Sequence, residues 1–255
     1  MDCYAATLGD CAGGRSGEHY ISRSVLELVG TAVRVSGFPW QAEGTRQDIG
    51  IGSLGANILC RRHNEQLSSL DDTGMTFVRA LQTTFREAVD GPEFSDDSIT
   101  IDGDSLERWL LKVLCGVLTV AKGHSIPTMW LEMLFRGRPF SENHGLHFFG
   151  KLGKASWLFN LLRVISVPDK RGHIAGAKFG VGGVPILLAF GKPDFGDPEF
   201  GSYFRPDSIE ISRGRSIKRI DFTWHGDKGG GTVTLQIEGP LDPEGEIPIP
   251  MVQPD

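Results

Sequence analysis

The sequence predicts an α+β chain in two consecutive parts, and three observations carry that reading. Three of the four cysteines and a Cys-x-x-His step lie between Cys3 and His63. The run DGDSLERWLLKVLCGVLTVAKG repeats apolar residues at helical spacing, with Leu106, Trp109-Leu110, Val113-Leu114 and Val117-Leu118 forming one broad stripe. From about residue 172 onward, β-rich runs alternate with Gly, Pro and Asp breaks. The acidic, turn-rich stretch DGPEFSDDS places a boundary near 91–98, giving a first part over 1–92 and an α+β second part over 98–255, helical at first and then β-rich.

In chain order, residues 1–17 read as a glycine-rich knuckle, where Gly9, Gly13, Gly14 and Gly17 give ligand loops their conformational freedom. EHYISRSVLELVG changes from a short extended stretch into a helix, with Ser22 or Ser24 as its cap. TAVRVSGFPW reads as a strand stopped by Gly37 and Pro39, and residues 41–55 as a mobile connection or hairpin, a candidate substrate-facing flap. From Cys60 the pattern turns helical, breaks around Asp71 to Gly74, and resumes in MTFVRALQTTFREAV. The Trp109 helix starts at Asp102 or Asp104, ends at Gly123, and is expected to belong to the core of the second part. WLEMLF reads as a further helix, while SWLFNLLRVI suits a helix or a buried strand. Beyond Gly239 the chain is proline-rich.

The chemistry concentrates in two short stretches, CAGGRSGEH and NILCRRHN. With Cys3 they supply Cys3, Cys11, Cys60 and His63, the thiolate and imidazole donors that zinc takes in a tetrahedron. Beside these ligands stand the pair Glu18-His19 and the amides Asn57 and Asn64. Arg61 and Arg62 can reach phosphate from the start of the helix after the knuckle, where backbone amides favour anions, or can be solvated helix charges. His144 and His147 in ENHGLHF have a spacing that suits a metal on a helix, but no third ligand is evident, and ordinary histidines are the simpler reading. GVGG and KGGG lack the full phosphate-loop pattern and read as turns.

This constellation resembles the HNH nuclease superfamily over roughly residues 1–75. Its members carry an acidic-His or His-His pair at the end of a first strand, an Asn before a metal knuckle, and a His or Asn just after it; Glu18-His19, Asn57 and Asn64 fill those places. The resemblance implies a zinc-braced ββα-metal module and an endonuclease that hydrolyses nucleic-acid phosphodiester bonds. In that reading His19 is the general base, Glu18 and Asn64 hold a catalytic Mg²⁺ or Mn²⁺, Asn57 orients the His19 ring or its loop, and Arg61 and Arg62 meet the nucleic acid, with DNA the expected partner. The alternative is a zinc-stabilised module that binds nucleic acid or protein without cutting.

Composition limits these readings. With 40% apolar and 23% charged residues the chain is an ordinary globular one. A net charge of −6 argues against strong nonspecific nucleic-acid binding, so phosphate contacts must come from local cations. No apolar run reaches the length of a membrane span, and MDCYAATLGD lacks the features of a signal peptide, so a cytoplasmic location with no membrane partner is expected. Thiols kept reduced there remain available to metal.

Overall fold

The computed structural model describes residues 3–36, 46–90, 98–121, 125–142, 144–149, 162–169, 171, 173–181, 184–191, 202–213, 216–226 and 229–236. The chain is mixed α+β. It divides into two compact units, the first built on Met1–Met75 and Arg108–Pro139, the second on Thr76–Glu107 and Phe140–Ile247. The units are therefore interleaved, where the sequence suggested consecutive parts over 1–92 and 98–255. The expected boundary at 91–97 lies outside the described residues.

In the first unit, β1 (Arg15–His19) pairs antiparallel with β4 (Gly55–Cys60), and α2 (Arg61–Gln66) follows β4 directly. Arg15 lies opposite Cys60 and His19 opposite Gly55, with a register shift between Ser16 and Glu18. Between these strands the chain forms α1 (Arg23–Val29) and a second antiparallel pair, β2 (Ala32–Ser36) with β3 (Arg46–Gly50). The described part of the expected flap is thus one arm of a hairpin followed by a 3-10 turn at Ile51–Leu54; residues 37–45 lie outside the described set.

Next comes α3 (Ser68–Asp90), unbroken through Asp71 to Gly74 where the sequence suggested a stop. Gly74 answers a packing demand instead: a Cβ there would lie 2.2 Å from Cε2 of the Trp109 indole. Trp109 lies on α4 (Gly103–Val120), is 0% exposed, and donates its indole N–H to Ser22 Oγ at 2.8 Å. The apolar stripe is buried as its spacing implies, save for the half-buried Val117. Trp109, however, falls in the first unit and not in the core of a C-terminal domain. The helix start agrees with the sequence, since Asp102 Oδ1 accepts the Ser105 N–H at 2.9 Å. α5 (Thr128–Phe135) completes this unit and buries Trp130, Leu131, Met133 and Leu134.

The second unit holds two sheets. Five antiparallel strands lie in the order β10 (Ser202–Phe204), β6 (His144–Phe149), β9 (Val184–Phe190), β8 (Ile174–Val181), β7 (Leu162–Pro168). The strand reading of the end of SWLFNLLRVI therefore holds for β7, while residues 150–161 are outside the described set. Four strands form the other sheet, in the order β13 (Thr232–Gln236), β11 (Ser208–Arg213), β12 (Ser216–Thr223), β5 (Ile99–Asp102). Phe77 on α3, Phe148 on β6 and Phe222 on β12 meet in the core of this unit at centroid distances of 5.4 to 6.5 Å. Glu107, 0% exposed, holds Arg205 through two hydrogen bonds of 2.8 and 2.9 Å and accepts the Leu146 N–H, so neither charge is buried alone. Among the described residues, no helix is long and apolar enough to cross a membrane.

Candidate metal centre

Two loops and a helix start bring Cys3, Cys11, Cys60 and His63 together, with their ligand atoms all within 4.8 Å of one another. Cys3 opens a 3-10 turn (Ala6–Leu8), which Gly9 closes at φ 79°. The chain then returns past Cys11 to lie beside β4. Gly13 has φ 80°, and a Cβ there would also sit 2.9 Å from the Arg61 Cβ, so the knuckle requires glycine twice over. The loop is fixed to the helix start by backbone hydrogen bonds: the Arg61 N–H donates to Gly14 O at 2.9 Å and the Arg62 N–H to Ala12 O at 3.3 Å.

The distances suit a tetrahedral ion. His63 Nδ1 lies 3.4 Å from Cys3 Sγ, 3.7 Å from Cys11 Sγ and 3.2 Å from Cys60 Sγ. Zinc bond lengths imply ligand-to-ligand edges of about 3.5 to 3.8 Å in a tetrahedron. The set can hold a metal ion and is compatible with zinc. Its electrostatics favour a cation as well. Burial raises the Cys60 thiol, but backbone N–H groups of His63 and Ala12, together with the Cys11 and Cys3 thiols on its sulfur, outweigh that and bring it below its ordinary value. Cys11 goes the other way: burial and the neighbouring Cys3 sulfur push it up to about 12. Three adjacent thiols cannot all ionise unless a cation stands between them.

The outer contacts choose the ligating nitrogen. His63 Nε2 faces Asp10 Oδ1 at 3.0 Å, so with its proton there the ring presents Nδ1 to the three sulfurs. The ring packs on Phe135 at a centroid distance of 4.6 Å. Asp10 was not identified from the sequence, because an outer carboxylate contact has no fixed spacing. Asp10→Ala is expected to weaken zinc retention by roughly 10- to 100-fold in competition with a chelator. Unchanged retention would show that the ring is oriented by packing alone.

The other sequence candidates lie on the same β1-β4-α2 frame. Glu18 is buried and its carboxylate meets Lys112 Nζ at 2.6 Å; burial raises its pKa while Lys112 opposes the rise. Lys112 also holds Asp71, which accepts a hydrogen bond from Ser22 Oγ. His19 is half-buried, and its Nε2 is enclosed without a hydrogen-bond partner. Burial first, then Arg23 and Lys112, lower its pKa, so the ring is neutral at neutral pH. Asn64 donates Nδ2–H to Ser16 Oγ at 2.9 Å, tying α2 to β1. Asn57 is exposed beside Gly17, with its Oδ1 3.7 Å from where a Cβ on that residue would stand, and makes no side-chain hydrogen bond to His19 or to another described residue.

Arg62 is engaged with Asp10 at 3.1 Å, while Arg61 is exposed and makes no ion pair among the described residues. The expectation that the α2 start offers free amides to phosphate is overturned. Its N–H groups already bond Gly14 O, Ala12 O and the Cys60 sulfur.

In the second unit His144 and His147 lie on strand β6 and not on a helix. Their spacing directs them to opposite faces, which removes the pair as joint ligands. Asp102, Asp104 and His225 also gather, but as a helix start: Asp102 accepts the Ser105 N–H, and Asp104 Oδ2 accepts the His225 N–H and approaches Nδ1. No family model, curated protein or solved structure matches this chain.

Proposed function

We propose that the chain is a zinc-braced, divalent-metal-dependent endonuclease of the HNH kind that hydrolyses nucleic-acid phosphodiester bonds, with DNA as its substrate. The observation that carries this reading is the frame itself. β1 and β4 pair antiparallel and β4 runs straight into α2, His19 ends the first strand, Asn64 lies on the helix, and the four-ligand cluster braces the strand-to-helix junction.

A neutral His19 ring with an unpartnered Nε2 is suited to take a proton from an attacking water. Asn64 has its Nδ2 committed to Ser16 and its Oδ1 without a hydrogen bond among the described residues, which leaves an oxygen donor for a hard cation. Glu18 Oε1 is on Lys112, and Oε2 takes no hydrogen bond from a described residue. A bound Mg²⁺ or Mn²⁺ would supply charge to the scissile phosphate and the leaving oxygen. Asn57, without a bond to His19, is assigned to substrate or loop contacts, and Arg61, which makes no ion pair among the described residues, is assigned to phosphate. The four-ligand cluster is assigned to zinc, with a structural role.

The second reading, a zinc-stabilised binding module that does not cut, is favoured by one observation: Glu18 faces inward to an ion pair. A cutting assay separates the two. His19→Ala is expected to lower divalent-metal-dependent cleavage by roughly 10²- to 10⁴-fold while zinc content and unfolding midpoint stay unchanged. Equal degradation of DNA by wild type and variant would mark the activity as a contaminant's and leave the binding module as the reading.

A further inference from the structure

The ion pair of Glu18 has a composition that bears on how the reactive metal enters, an inference that rests on the reading just given. Lys112 comes from α4, Glu18 from β1 and Asp71 from α3. The ammonium touches Glu18 Oε1 at 2.6 Å and Asp71 Oδ1 at 2.5 Å, and the Lys112 side chain is 2% exposed. Ser22 Oγ donates to the same Asp71 oxygen and accepts the Trp109 indole N–H, so the Asp71 end of the arrangement is held by two further residues. Glu18 has no such support; Lys112 is its single side-chain partner among the described residues.

Two carboxylates thus share one ammonium. A divalent ion on Glu18 brings a second cation against the ammonium on the same carboxylate, and Asp71 offers that ammonium a second, better-anchored partner. We propose that Lys112 is an internal cation competing with the divalent metal for Glu18, so that metal binding is coupled to Lys112 settling on Asp71 alone. Lys112 is then a positioning residue: it holds Glu18 in place without metal and sets the metal concentration at which Glu18 is released. Because Nζ already touches both carboxylates, the exchange is a side-chain movement, with no change of fold required.

The test is Mn²⁺ titration of the full-length, zinc-loaded protein without nucleic acid, with free Mn²⁺ followed by electron paramagnetic resonance. Lys112→Met is expected to bind Mn²⁺ about tenfold more tightly than wild type, within the usual range of coupling between two linked sites. The gain should vanish in the Glu18→Gln background, whereas a mere change in the local field would persist there. Asp71→Asn, which leaves Lys112 with Glu18 alone, should bind Mn²⁺ more weakly than wild type. Zinc content and the far-ultraviolet dichroism check that each variant is folded; should Lys112→Met fail that check, Asp71→Asn decides. Equal affinity in wild type and Lys112→Met, a gain that survives Glu18→Gln, or an unchanged affinity in Asp71→Asn overturns the competition and leaves the nuclease reading standing. No Mn²⁺ binding by any folded variant overturns both.

Discussion

Cys60→Ser is expected to release the metal and unfold the first unit. Cys60 is buried, its sulfur lies 3.2 Å from His63 Nδ1, and it stands at the junction of β4 with α2. Structural zinc supplies roughly 10 to 16 kcal/mol of apparent binding free energy in small modules, which matches or exceeds the whole stability of an ordinary domain. Serine also leaves the fully buried His63 ring facing two thiols with no cation between them. Elemental analysis should find about one zinc per wild-type chain and little in the variant. Removing zinc from the wild type with a chelator should reproduce the loss of the cooperative unfolding transition. A variant that keeps its midpoint would show that the apolar core carries this unit without metal.

Trp109→Ala is the second large effect, with an expected cost of roughly 3 to 5 kcal/mol. The ring is fully buried against Gly74, and its N–H donates to the hydroxyl that in turn bonds Asp71. The truncation therefore opens a cavity and leaves Ser22 one donor short. A paired experiment makes the packing argument specific. Gly74→Ala should be strongly destabilising in wild type, where its Cβ would meet the indole, and far less so once Trp109 is alanine. Denaturant unfolding of the four proteins measures the coupling, and additive effects would mean that the glycine is needed for something other than the indole.

The zinc-type ligands were legible in the sequence because their chemistry demands particular residues, and because Cys60 and His63 sit one helical turn apart. The α4 stripe was legible from its period. Other features left no local signal. Lys112, Glu18 and Asp71 lie on three separate elements, and an ion pair across such distances has no spacing to read. The sequence Asp-Asp-Thr-Gly reads locally as a turn, yet α3 passes through it, and the glycine marks where the Trp109 indole leaves no room for a side chain. Likewise the spacing of His144 and His147 suggested a shared helix face only until β6 put them on a strand. The division into units was the least legible feature, since a buried stripe on α4 reports that the helix is covered but not by which segment.

That interleaving has a consequence for how the protein is made. All four residues of the metal cluster have been synthesised by residue 63, well before Trp109, Lys112 and Phe135, yet these later residues belong to the same unit. Phe135 supplies the ring against His63 and Trp109 the one against Gly74. The growing chain can therefore assemble the ligands early but must wait until about residue 139 to close the core around them. A fragment ending near residue 92 retains the whole ligand set and lacks α4 and α5, so the piece that looks self-sufficient in the sequence is an unfinished unit in the fold.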